Sequence, residues 1–406
     1  MVELLSPAGN FQKLKTAIHF GADAVYCSFE EFGLRSHAGN FTLKELKEAI
    51  EYTRKAHKKI YLTINSYLFD TDFAKLRDFL AFLKNNPPDA IIVSDLGVLS
   101  LLQETKIPIH ISTQANITNS YAANFLRQFN VERIIAAREL TLEDLAIFTK
   151  NTTIDVEVFA HGAMCMAYSG RCFISAYLTQ RSANRGDCAQ SCRWGYTIYE
   201  DTRKNSPLFL EEHKEGSFLF NSYDLCVLPI LNRVIDSGVR SLKIEGRNKS
   251  DYYVAIATKT YRKAIDSYFD GTFKKHLAFL YNQLKTVSHR PYSLGFFLGK
   301  PRQYLKSSSY IHPCSYLATV LDKVDGKLKL LIKNRLTKGV YEFVSAKENI
   351  TVSIDTMYAN DFSQQEIAHP GEIVYIDKID NIDKYDILRS CYESNSRNLQ
   401  KQNAGI

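Results

Sequence analysis

Short apolar, β-branched runs alternate with amphipathic segments over the first 250 or so residues of this chain. Eight such runs recur: Val2–Leu5, Ala24–Cys27, Lys59–Ile64, Ala90–Val93, Ile107–Ile111, Arg133–Ala136, Ile154–Phe159 and Ser241–Ile244. Between them apolar residues fall at helical spacing, as at Leu43, Leu46, Ala49 and Ile50, or at Phe73, Leu76, Phe79, Leu80 and Leu83. The repeat averages roughly 25 to 35 residues, the length of a strand–helix unit. Eight units joined by right-handed crossovers close naturally into a TIM-type (β/α)8 barrel, an α/β fold. The competing architecture, an open doubly wound sheet, carries a Gly-rich phosphate loop after its first strand. Pro7-Ala8-Gly9-Asn10 is not that loop.

The pattern changes after the eighth run. Asp251–His289 reads as one long helical stretch ending near Arg290-Pro291, and Tyr316–Asp377 reads as short alternating strands broken by Asp325-Gly326, Lys338-Gly339 and Pro370-Gly371. The expected organisation is a barrel over residues 1–290, a linker over 291–312, a small all-β barrel or sandwich over 313–390 and a frayed tail over 391–406.

Barrel chemistry sits at the carboxyl ends of the strands. Those ends are polar in all eight units: Ser6 and Asn10; Ser28, Glu30 and Glu31; Asn65 and Ser66; Ser94 and Asp95; Thr113, Gln114 and Asn116; Arg138 and Glu139; His161; Glu245 and Arg247. Strand ends are turn-rich and polar in any case, so this set outlines a lined pocket without proving one.

Cysteines sharpen that outline. Five of the eight lie between Cys165 and Cys226, inside an insertion of about residues 161–226 that is far longer than an ordinary strand–helix loop. Long insertions at this end of a barrel are lids or cofactor holders. Met1-Val2-Glu3-Leu4-Leu5-Ser6 has neither the basic start nor the long apolar stretch of a secretion signal, so a reduced, cytoplasmic protein is expected and clustered thiols point to metal or catalysis. Structural zinc favours two short cysteine pairs, and only Cys188 and Cys192 form one. The irregular spacing suits an iron–sulfur cluster better, with zinc and unliganded thiols as the other readings. Cys27, Cys314 and Cys391 stand alone and read as small buried hydrophobes.

Composition adds limits. Hydrophobic residues make up 45% and charged residues 23%, as in ordinary globular domains, and no run of about 18 apolar residues is present to span a membrane. The net charge of +7 is spread along the chain; it suits RNA or acidic small molecules as well as a plain solvated surface. Protease motifs of the H-E-x-x-H and G-x-S-x-G kinds are missing. His161, four residues before Cys165, leaves a Cys–His dyad conceivable, since that spacing shares one face of a helix, although a structural histidine is the plainer reading.

Glu157-x-Phe159-x-x-Gly162-Ala163-Met164-Cys165, followed by Gly170-x-Cys172-x-Ile174-Ser175, resembles the signature of the collagenase-like peptidases, family 32 of the class U (unassigned) peptidases. So do Asn184-Arg185-Gly186-Asp187-Cys188-Ala189-Gln190-x-Cys192-Arg193, Asn221-Ser222-x-Asp224-Leu225-Cys226, the opening Glu3-Leu4-Leu5-x-Pro7-Ala8-Gly9 and Lys243-Ile244-Glu245-Gly246-Arg247. The resemblance spans nearly the whole chain. It implies either proteolysis or, as in the better-understood bacterial members, oxygen-independent hydroxylation: of the tRNA wobble uridine to 5-hydroxyuridine with prephenate as hydroxyl source, of a ribosomal RNA cytidine, or of the ubiquinone ring. It also implies a 4Fe-4S cluster on Cys165, Cys172, Cys188 and Cys226, with Cys192 as alternative fourth ligand.

Under the hydroxylase reading, Arg138, Arg171 and Arg247 are candidates to hold carboxylate or phosphate through the guanidinium fork. Glu245 and His161 are candidates for proton handling. Tyr168, Tyr177 and Trp194 could stack a flipped base, with core packing the expected fate of at least two of them.

Overall fold

In the computed structural model, residues 2–32, 40–165, 167–194, 223–299 and 310–391 are described. The parts of the insertion, linker and tail at 195–222, 300–309 and 392–406 lie outside the described residues. The chain divides into two compact units: Met1–Tyr281 with His289–Tyr310, and Asn282–Ser288 with the chain from Ile311 on.

All eight apolar runs are strands of the first unit. They are β1 (Glu3–Pro7), β2 (Ala24–Ser28), β3 (Lys59–Ile64), β4 (Ala90–Val93), β5 (Ile109–Ile111), β6 (Val131–Ile135), β7 (Asp155–Ala163) and, after the short β8 (Asp224–Cys226), β9 (Ser241–Ile244). Neighbours pair in parallel from β1 to β7; β7 then pairs with β9 and β9 with β1, which closes an eight-stranded barrel. The helices α1 (Phe11–His19), α2 (Leu43–Lys55), α3 (Phe73–Asn85), α4 (Leu96–Leu102), α5 (Ser120–Leu126) and α6 (Leu142–Lys150) alternate with these strands. Each presents one apolar stripe inward, as with Leu46, Ala49 and Ile50 of α2. Several polar strand ends turn out to start helices: Asn10 accepts from the Lys13 amide at 2.9 Å, and Asp95 caps α4 through Gly97 and Val98.

The insertion carries the short α7 (Ile174–Thr179) and returns through β8, which pairs antiparallel with His161–Ala163 at the end of β7. Beyond α8 (Leu231–Asp236) and β9, the long helical stretch is two helices, α9 (Asp251–Phe269) and α10 (Phe273–Leu284). Asp270-Gly271-Thr272 divides them, because Gly271 adopts φ +79 and Asp270 accepts from the Thr272 amide. Tyr292–Ser293, expected as linker, is instead strand β10, paired with β8 in the barrel sheet.

The barrel interior is not wholly apolar. Arg133 of β6 is ion-paired with Glu3 of β1 and with Glu157 of β7, the latter at 3.1 Å; Lys243 of β9 reaches Glu157 at 3.2 Å. Burial pushes the Glu3 carboxyl up, but the hydrogen bond and charge of Arg133 outweigh it and leave the carboxyl below its usual value. Burial lowers Lys243, and Glu157 offsets part of that.

The second unit is antiparallel. Its main sheet contains β11 (Cys314–Val324), β12 (Lys327–Ile332), β14 (Gly339–Val344), β15 (Asn349–Ile354), β16 (Met357–Tyr358), β17 (Gln364–Gln365), β19 (Ile373–Asp377) and β20 (Ile387–Cys391). β13 (Leu336–Thr337) and β18 (Ile367–Ala368) form a separate pair. Asp325 and Gly326, both at positive φ, make the expected hairpin between β11 and β12. Residues 282–288 join this unit because Arg389 donates to Thr286 Oγ1 at 2.9 Å and to Gln283 Oε1 at 3.2 Å. Cys314 and Cys391 are not isolated hydrophobes: they face each other in the β11–β20 register and are disulfide-bonded. Strand pairing across 77 residues, invisible in local sequence, brings them together.

Candidate active site

The barrel mouth and the insertion enclose a cavity of about 390 Å³. Cys165, Cys172, Cys188 and Cys192 all line it, with Thr113 and Gln114 from the end of β5, Arg138 from the end of β6 and Glu245 from the end of β9. Cys165 is exposed and the other three thiols are half-buried. Strand order explains the convergence, since β5, β6, β7 and β9 are successive neighbours on one arc of the barrel.

The insertion is clamped to the β3–α3 connection, which in turn holds the end of β5. Arg185 donates to the Tyr67 carbonyl at 3.0 Å and to Asp72 at 3.1 Å, and Tyr67 donates to the Gln114 carbonyl at 2.8 Å. Inside it, Ser175 Oγ accepts from the Ala189 amide at 2.9 Å and donates to the Arg181 carbonyl at 2.7 Å. Gly170 is obligatory: its φ is +72, and a Cβ there would lie 2.0 Å from the Gln114 carbonyl oxygen. Gly9 is fixed by a similar contact, with the Arg247 carbonyl 2.1 Å from where its Cβ would sit.

Cys226 is not among the cavity's lining residues. It is buried in β8, where its sulfur accepts from Tyr261 at 3.8 Å. Burial pushes this thiol up to about 12, against weaker opposing hydrogen bonds from the Leu228 backbone and Tyr261. His161 does not line the cavity either, and it lies in a strand, so the helical Cys–His spacing does not apply. Its ring is packed among Tyr253, Tyr261 and Tyr292, and neither ring nitrogen has a hydrogen-bond partner among the described residues. Burial first, then the charges of His289 and Lys249, lower it to about 3, so it is neutral at physiological pH.

Arg247 is buried in the barrel, donating to Thr63 Oγ1 at 3.3 Å, and is not on the cavity wall. Arg138 is on the wall, 3.8 Å from Cys165 Sγ. Arg171 lines a second, adjoining cavity with Cys172. Tyr168, Tyr177 and Trp194 are all exposed, contrary to the core packing expected of two of them, and Tyr168 borders the thiol cavity. Lys249 and Tyr310 complete its rim, the ammonium 4.1 Å from the ring centroid. Neither residue was singled out from the sequence; only Lys249's place four residues after Glu245 hinted at it.

Four thiols around one cavity are the donor set that a soft-metal cluster requires. Among the described residues no three His, Cys, Asp or Glu side chains are gathered at ligand spacing, so the cavity brings the thiols to one wall without a formed metal site.

Fold and site together define a TIM-type barrel whose catalytic end is capped by a cysteine-bearing insertion. The chain belongs to peptidase family U32, which it matches over residues 9–307. It is 34% identical over 409 aligned residues to tRNA hydroxylation protein P1 of Bacillus subtilis, covering 97% of this chain and 93% of that protein. A protein of Methanocaldococcus jannaschii described as an uncharacterised protease is 42% identical over 305 residues, 73% of each chain. A protein described as a collagenase from Porphyromonas gingivalis is 35% identical over 311 residues, 73% of this chain and 74% of that one. No described helix is long and apolar enough to cross a membrane.

Proposed function

We propose that this protein hydroxylates RNA, converting the tRNA wobble uridine to 5-hydroxyuridine without molecular oxygen, with a 4Fe-4S cluster as cofactor and prephenate as source of the hydroxyl group. The observation that carries this reading is the convergence of four thiols and the polar ends of β5, β6 and β9 on one cavity. The near full-length similarity to tRNA hydroxylation protein P1 supports the choice of RNA.

Cys165, Cys172, Cys188 and Cys192 would hold the cluster, which with a thiolate on each iron would supply redox chemistry. The uridine is flipped out of its stack to enter the cavity, with Tyr168 at the rim offering a stacking face and Lys249 a phosphate contact. Thr113 and Gln114 supply hydrogen bonds for the edge of the base. We assign Glu245, the carboxylate on the wall among the described residues, the proton that leaves C5. The peptidase reading has less to stand on: the candidate base His161 is buried, neutral and off the cavity.

Nucleoside analysis of tRNA from a deletion strain tests the proposal. 5-Hydroxyuridine should vanish, return with the parent gene and stay absent with Cys172→Ala. An unchanged nucleoside profile in the deletion strain, or dose-dependent gelatin cleavage by iron-free protein, overturns it.

A further inference from the structure

Gln114 stands on the cavity wall in the turn after β5, and its surroundings fix both its place and its direction. Its backbone is pinned. The carbonyl accepts from the Tyr67 hydroxyl at 2.8 Å and packs against Gly170, where no Cβ would fit. Its side chain is pinned as well. The amide oxygen accepts two hydrogen bonds, one from the Ser112 hydroxyl and one from Asn65 Nδ2 at 3.4 Å. An NH2 group could not accept them. Ser112 and Asn65 are buried and neither lines the cavity, so both hold the oxygen back toward the barrel interior. The other end of the amide, Nε2, donates to no described residue. What Gln114 offers the cavity is therefore a pair of N–H donors. Asn184, Gln190 and Asn248 share the wall, but among the described residues nothing fixes which end of their amides faces inward.

We infer that Gln114 is the residue by which the cavity selects uracil over cytosine, through a hydrogen bond from Nε2 to position 4 of the base. The two bases differ there: uracil carries an oxygen that accepts, and cytosine an amino group that donates. A fixed donor pairs with the first and meets the second donor against donor. Neither is then satisfied, and a buried polar group without a partner is costly. A freely turning amide would serve both bases, so the selection depends on Ser112 and Asn65 as positioning residues. Position 4 is bonded to C5, so the same contact locates C5 with respect to Glu245 on the shared wall. This selection rests on the hydroxylation reading, which supplies the RNA substrate; Gln114 adds why the base is a uridine and not a cytidine.

Equilibrium binding tests this without turnover. The probes are two fluorescently labelled anticodon stem-loop RNAs that differ only in U or C at the wobble position, titrated with the anaerobically reconstituted full chain. The parent should bind the U form about 10-fold more tightly or better, the value of one well-placed base contact. Gln114→Glu keeps an oxygen for Ser112 and Asn65 but turns the donor end into an acceptor. It should therefore move the U-to-C affinity ratio toward C by about 10- to 100-fold. Gln114→Met should bring the ratio to about 1, and it decides the matter alone should Gln114→Glu fail to fold. Ser112→Ala leaves Gln114 in place but frees its amide to turn, so it too should lower the ratio. A parent ratio of about 1, or a parent-like ratio in any of the three variants, overturns the inference. Failure of the parent to bind either RNA overturns the RNA reading and this selection with it. A U preference that stands beside a null result in the tRNA analysis instead sinks hydroxylation alone and leaves the selection intact.

Discussion

Arg138 Nη1 donates to the Ala163 carbonyl at 3.0 Å and lies 3.8 Å from Cys165 Sγ, while its guanidinium carbon sits 4.0 Å from the centroid of the Phe159 ring. One side chain thus ties the end of β6 to the point where β7 gives way to the first cavity thiol. Residues that orient a ligand without touching the metal typically change affinity by about 10- to 100-fold. Arg138→Leu keeps the packing on Phe159 but loses both polar contacts. After anaerobic reconstitution it should surrender iron to a chelator about 10-fold more readily than the parent, with little change in melting temperature. Parent-like iron retention would reduce Arg138 to a structural role.

The fourth ligand is open to direct measurement. Cys165, Cys172 and Cys188 belong to both ligand sets that the family resemblance allows, and the cavity adds Cys192, whereas Cys226 is sealed beneath Tyr261. Cys192→Ser should therefore lose most of its iron and sulfide, and Cys226→Ser should keep them. The reverse pattern would assign Cys226 and require β8 to move toward the cavity.

Much of this site could be read from the sequence because its parts are local. The eight strand runs are apolar and largely β-branched, and the thiols that share the cavity fall within 28 residues. What escaped depends on pairing at long range. The three-residue β8 is too short to carry a periodicity and exists because β7 runs on past the barrel to receive it. The Cys314–Cys391 disulfide depends on the β11–β20 register. Glu3, Arg133, Glu157 and Lys243 all sit in apolar strand runs, a hint of the polar barrel interior, yet only barrel closure brings β1, β6, β7 and β9 together. Glu245 and Arg247 both lie past the end of β9, where strand alternation no longer fixes facing, and only Glu245 reaches the cavity while Arg247 is buried against Thr63.

His161 makes stability depend on pH. Its folded value of about 3 lies below the ordinary 6.5, so the unfolded chain binds the extra proton. The stabilisation is complete above pH 6.5 and is lost as pH falls through the window toward 3. His110, also lowered by burial and by the Arg133 charge, acts with the same sign. Glu3, held below its ordinary 4.5, contributes only at lower pH. Between pH 6.5 and 4.5 the barrel's urea-unfolding free energy should fall by up to about 1.4 kcal/mol per pH unit for each of the two histidines. His161→Phe should remove one histidine's share of that slope. An unchanged slope would show that His161 is accessible and charged in the native state.

The last expectation concerns the charges inside the barrel. Arg133 joins Glu3 and Glu157, and Glu157 is completely buried. Lys243 alone would then have to balance Glu157, while Glu3 would keep the Tyr61 hydroxyl and a distant contact with Lys59 at 4.0 Å. Arg133→Met preserves length and apolar volume but strands a carboxylate in the interior. Removing one partner of such a pair costs about 3–5 kcal/mol, whereas replacing the whole set by apolar groups can be neutral. Arg133→Met should therefore lower the barrel's unfolding free energy by about 3–5 kcal/mol at pH 7. Adding Glu3→Gln should restore part of the loss, because one of the two carboxylates that lost Arg133 is then neutral. Urea titrations of the parent, the single variant and the double variant measure both steps. A loss below about 1 kcal/mol would mean that water reaches Glu157 once Arg133 is shortened, and that the charged layer is not sealed.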